Sequence, residues 1–157
     1  MAEGEFALAT QALELALTSQ AEWIGDHDLY ALLADAAAQQ RDESGLRRYA
    51  PLLEELAIRY GHLLYQAIAH RAWGVAHRLA GEYAASEARL QQALEIFGSL
   101  GTRWQLGRTH FAWGELAAAE GDVVAAHDHF TQAQRLFAAM QAAPDLARTH
   151  KALARVR

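Results

Sequence analysis

Histidine is the residue type whose number and spacing first invite a chemical reading of this chain. Eight occur in 157 residues, and His70, His110 and His150 recur at intervals of 40. Imidazole nitrogens bind transition metals and carry protons near neutral pH, so a regular row of them is a candidate metal array. Coordination distances argue against it. Equivalent positions in stacked helical units lie on the order of 10 Å apart, whereas zinc holds nitrogen at about 2 Å. His70 and His77, two turns apart on one helix, need a third element to hold one ion. His127 and His129 leave their helix on different sides. The repeated histidines are therefore expected to pack, with ring N–H groups bonding neighbouring carbonyls, and no metal site is expected.

Other chemistry finds no foothold. Neither a phosphate-cradling GxxxxGK[ST] loop nor GxGxxG is present, and GxSxG and HExxH are missing too. The acidic residues are scattered, and no pair stands out as general acid and base. With no cysteine, disulfides and thiolate metal sites are excluded. The expectation is a protein with no catalytic residues and no cofactor, not an enzyme. A formal charge of −5 and a pI near 5.9 speak against nucleic acid or an anionic membrane as partner. No apolar run is long enough to span a bilayer. The first residues, Met1-Ala2-Glu3-Gly4-Glu5, are acidic where a secretory signal is basic. A cytoplasmic setting is expected.

The elements that position these residues are helices. Alanine dominates, Leu, Glu, Gln and Arg follow, asparagine is absent, and the only prolines are Pro51 and Pro144. Such residues lose little side-chain entropy in a helix, and the fold class expected is all-α. Self-similarity sharpens the picture. At a shift of 40, His70, Ala72, Trp73 and Gly74 meet His110, Ala112, Trp113 and Gly114. Gly81, Ala85, Gln92, Ala93 and Phe97 then meet Gly121, Ala125, Gln132, Ala133 and Phe137. Leu106, Arg108 and Thr109 recur as Leu146, Arg148 and Thr149, while upstream the match weakens. Gly81-Glu82 and Gly121-Asp122 supply turns, since glycine takes the left-handed conformation that ends a helix. Gly74 and Gly114 fall inside helices, where glycine costs about 1 kcal/mol relative to alanine. Their recurrence predicts close helix crossings beside Trp73 and Trp113.

About eight helices are expected, at 3–19, 25–41, 44–60, 62–80, 83–98, 102–120, 123–140 and 144–156. Pro144 suits a first turn; Pro51 predicts a kink or a late start in the third helix. Units are expected at 1–24 (a partial repeat), 25–61, 62–101, 102–141 and 142–157 (partial).

Trp113-Gly114, Gly121, Ala126, Phe130 and Ala133 resemble the tetratricopeptide repeat, as do Trp73-Gly74, Gly81, Leu90 and Ala93. His70 and His110 stand where the family often has Trp, and the period is 40 instead of 34. The longer, alanine-rich repeat is similar to the C-terminal arrays of bacterial multidomain signalling ATPases, nucleotide cyclases and LuxR-type regulators. The resemblance implies a right-handed superhelical solenoid of antiparallel helix pairs that binds a protein or peptide on its concave side. The family's groove positions fall on Ile68, Arg71, Val75 and Arg78, then Arg108, Phe111 and Glu115, then Arg148, Lys151 and Arg155. Asp28, Ala31, Asp35 and Gln39 are the earliest set. The groove is thus expected to turn from acidic to basic, matching a partner with an acidic segment or C-terminal carboxylate. The plainer alternative is that these arginines are solvated or paired with nearby Glu and Asp.

Two further functions stay open. The first helix carries Phe6, Leu13 and Leu17 on one side and Leu8 and Leu15 on another, which would suit self-association into a homo-oligomer. A small-molecule sensor would instead need a pocket among Trp23, Tyr30, Tyr65 and Arg71.

Overall fold

A computed structural model of the chain describes residues 3–18 and 26–156. Its described residues form eight α-helices and no strand: α1 (Glu3–Thr18), α2 (Asp26–Gln40), α3 (Glu43–Arg59), α4 (Leu63–Leu79), α5 (Tyr83–Leu100), α6 (Arg103–Glu120), α7 (Val123–Ala139) and α8 (Ala143–Leu153). Each helix packs on the next in sequence, and α2–α4 and α4–α6 also touch, so α2, α4 and α6 form one row. The expected helices are found within a few residues of their bounds; α8 closes earliest, at Leu153 and not at 156.

The joints between helices follow a stricter rule than the 40-residue repeat. Arg41, Gly61, Gly81, Gly101, Gly121 and Gln141, spaced by 20, all have positive φ, between 55° and 82°. After each, one amide reaches back five residues to a helix carbonyl, from Asp42 to Ala37 at 2.9 Å through to Ala142 to Phe137 at 3.0 Å. That is the Schellman closure, which satisfies carbonyls left over at a helix end. The same residue's carbonyl then accepts the first amide of the next helix, as Asp42 does from Leu46 at 3.0 Å. Asp42 and Asp122 add side-chain caps to Gly45 and Ala125, each worth about 1 kcal/mol.

Packing repeats in step. Leu46, Ala50, Leu53 and Ala57 of α3 are buried at the positions of Ser86, Leu90, Ala93 and Phe97 in α5 and Ala126, Phe130, Ala133 and Phe137 in α7. The third helix therefore belongs to the same register, which residue identity alone had obscured. The two helix-interior glycines mark crossings, as expected. A Cβ on Gly74 would lie 2.7 Å from Leu90, and one on Gly114 would lie 2.7 Å from Phe130. Gly107 does the same for Phe137, at 2.8 Å. Ser86 Oγ donates to the Gly74 carbonyl at 2.7 Å, tying α5 to α4 where they cross. Trp73 and Trp113 are only half-buried. Trp73 stacks on His77 and donates to Glu54, and Trp113 stacks on His129.

Of the two outcomes expected from Pro51, the late start is not found: α3 runs from Glu43 to Arg59 with the proline inside it. The proline ring is solvent-exposed. Pro144 lies in the first turn of α8. Among the described residues no helix is long and apolar enough to cross a membrane.

Candidate binding cleft

Helical spacing brings one face of α2, α4, α6 and α8 to a common opening. Residues three, four or seven apart share a helix face, as do Arg108, Phe111 and Glu115 on α6. The result is a cleft of about 240 Å³. Of the ten groove residues expected on the later units, eight line it: Arg71 and Val75 from α4, Arg108, Phe111 and Glu115 from α6, Arg148 and Lys151 from α8, and Arg155 just beyond; Ile68 is buried in the core instead. Asp35 and Gln39 of α2 and Arg41 of the following turn complete its charged and amide lining. Arg78 is not on the wall; it is buried behind Glu115, to which it donates at 2.9 Å.

Two carboxylates organise four guanidiniums. Asp35 accepts from Arg108 Nη1 at 2.6 Å and from Arg71 Nη2 at 3.4 Å. Glu115 accepts from Arg78 at 2.9 Å on one oxygen and from Arg41 at 3.1 Å on the other. Burial works to raise the Asp35 pKa, but Arg108 and then Arg71 outweigh it and hold the carboxyl below its usual range. Burial, with Arg108 as the next cause, pushes Arg71 down to about 9, so it stays protonated at neutral pH. Arg71 also donates to Gln105 Oε1 at 2.5 Å and lies over the Phe97 ring at 5.4 Å.

The plainer reading of these arginines thus describes Arg71, Arg78 and Arg108, which are engaged by internal acids. The α8 end differs. Arg148 lies 4.4 Å over the Phe111 ring, its Nε has no hydrogen-bond partner, and its nearest carboxylate, Asp145, is 3.9 Å away. Lys151 and Arg155 are exposed and make no ion pair among the described residues. Six cations and two carboxylates line the cleft, a surplus of four positive charges in a chain of net charge −5.

The acidic beginning expected for the groove is not what α2 builds. Asp28 is turned to the Tyr65 hydroxyl, Ala31 is core, and Asp35 is spent on two arginines. Sequence reasoning missed Arg41, which the turn after α2 delivers, and the stacking of arginines on two aromatics: Arg148 on the expected Phe111, and Arg108 on Trp104, 4.7 Å from the guanidinium. Three of the four residues expected for a sensor pocket are described. Tyr30 lies by Arg48 and Tyr49, Tyr65 packs on His27, Arg71 belongs to the cleft, and Trp23 falls outside the described residues.

Of the self-association residues, Leu8 and Leu15 are 68% and 69% exposed, while Leu13 packs against the core. The side chains of Phe6 and Leu17 lie outside the described residues.

Of the repeated histidines, His70 and His110 meet side chains where carbonyls were expected. His70 Nδ1 lies 2.8 Å from Arg89 and 3.9 Å from Glu54, and His110 Nδ1 lies 3.1 Å from His129 Nδ1. His150 is exposed. The partner in each pair comes 19 residues later, on the next helix, because the 20-residue joint brings that position alongside.

Compared with protein-family models, curated proteins and solved structures, the chain matches none of them.

Proposed function

We propose that the protein is a binding module of tetratricopeptide type, a right-handed superhelical solenoid whose α2–α4–α6–α8 face docks an acidic peptide segment of another protein. In this reading it is an interaction or scaffold segment of a larger bacterial signalling protein, and it performs no catalysis. The observation that carries the proposal is the convergence of the spaced residues on one cleft with four surplus positive charges. A concentration of like charge weakens the compact state that holds it, and an anionic partner relieves it. The docked segment would lie along Val75 and Phe111 with its acids towards α8.

Arg71 and Arg108 are poor probes, because their loss exposes Asp35 and disturbs the fold. Lys151 and Arg155 are exposed and suit the test. A mixed library of acidic C-terminal peptides, followed by fluorescence anisotropy, should bind the intact protein. The Lys151→Gln/Arg155→Gln variant should bind it about tenfold or more weakly, since charge-assisted hydrogen bonds are lost. Absence of binding, or binding indifferent to this change, would overturn the reading.

Self-assembly is the second reading, favoured by the exposed Leu8 and Leu15 on α1. Light scattering over a concentration series without peptide decides it: a mass that stays monomeric excludes it.

A further inference from the structure

The cleft is uneven along its length. On the α2–α4–α6 side each carboxylate is shared by two guanidiniums, Asp35 by Arg71 and Arg108, and Glu115 by Arg41 and Arg78. On the α8 side there is a row of cations without a close acid. Arg148 and Lys151, three residues apart, share a face of α8, and Arg155, in the turn just after it, lines the same cleft. Arg148 feels its neighbours: burial lowers its pKa first, and repulsion from Arg108 lowers it further. Asp145, 3.9 Å away, is the nearest counter-charge and is beyond hydrogen-bond reach.

A single carboxylate would neutralise one charge of this row and offer it two oxygens. A phosphoryl group carries about −1.5 to −2 at neutral pH and offers three strongly accepting oxygens. Guanidinium groups bind such oxygens in pairs, and a lysine ammonium adds a point charge. The Arg148 guanidinium is held against the Phe111 ring, so less freedom is lost when it binds.

We propose that the α8 end of the cleft takes a doubly charged oxyanion, a phosphorylated side chain on the docked segment, bound by Arg148, Lys151 and Arg155. This rests on the peptide-docking reading above and narrows it: docking would be switched by phosphorylation of the partner.

The test compares two fluorescein-labelled peptides of alternating alanine and glutamate, one with phosphoserine and one with glutamate at the centre. Titrated into the full chain at physiological salt, the phosphoserine peptide should bind about tenfold more tightly, the difference of one further charge-assisted contact. Lys151→Gln/Arg155→Gln should bring it down to the level of the glutamate peptide; both side chains are exposed, and circular dichroism checks that the fold is kept. Arg148→Gln should have the same effect. If both peptides bind with affinities within about twofold of each other, the phosphoryl proposal falls and the docking proposal stands. Binding by neither peptide removes both. Inorganic phosphate competing as strongly as the phosphopeptide would overturn the peptide as the source of the phosphate.

Discussion

Asp35 is the acid on which both Arg71 and Arg108 depend, and both arginines are almost wholly buried. Removing one partner of a buried ion pair leaves charge without compensation, at a cost of about 3–5 kcal/mol. Asp35→Ala should therefore destabilise the protein by about that much in urea unfolding, and Asp35→Asn by less, since its amide oxygen still accepts. Histidine gives a second expectation. Burial, and then His129, push the His110 pKa down to about 4, and burial lowers that of His129. A depressed histidine pKa means that the neutral ring is favoured by the fold. Its contribution is fully present above the unfolded value of about 6.5 and is lost as pH falls through it towards 4. Because the ring is partly solvated, the loss between pH 7 and pH 5 should be about 1 kcal/mol. The urea midpoint should fall accordingly, and His110→Leu should flatten the dependence. The groove positions implied by the family resemblance placed Arg71, Arg108, Arg148 and Arg155 on this face, but not Arg41. The partners of these arginines were not legible, because Asp35 and Arg108 are 73 residues apart in the chain and no local spacing joins them.

Helices show the contrast between two glycines well. Gly114 faces Phe130, where a Cβ would come within 2.7 Å of the ring, while nothing lies within 4 Å of the Cβ position at Gly98. Gly114→Ala should cost about 1–3 kcal/mol through overpacking. Gly98→Ala, late in α5, should add up to about 1 kcal/mol, because alanine is the better helix former. Thermal or urea unfolding of the two variants separates crowding from propensity. The helix-interior glycines were readable because they recur in both clear copies. Two of the joints were not readable, since Arg41 and Gln141 adopt φ 55° without being glycine, and no side-chain type announces that conformation there. The late start that Pro51 offered is not found, since α3 is already helical from Glu43.

At the scale of the molecule, the all-helical class and the succession of eight helices followed from composition, glycine punctuation and the 40-residue repeat. The expected unit 25–61 already put α3 in step with α5 and α7, but its residue identities did not. Leu46, Ser86 and Ala126 fill one buried position with three different volumes, so identity fades while packing persists. The 20-residue joint is written in the sequence as Gly61, Gly81, Gly101 and Gly121, and the backbone extends it to Arg41 and Gln141. One feature of the cleft also has a mechanical side. Asp35–Arg108 and Arg41–Glu115 both run from α2 or its following turn to α6, passing over α4, which stands between them in the row. They act as guy-lines stretched from the first post to the third, whereas the contacts along the row act as hinges. Tension in the two lines sets how far the row can bow, and anything that draws Arg108 away from Asp35 slackens one of them. An anion that drew Arg108 away from Asp35 would thereby loosen the row as well as neutralise the cleft's charge.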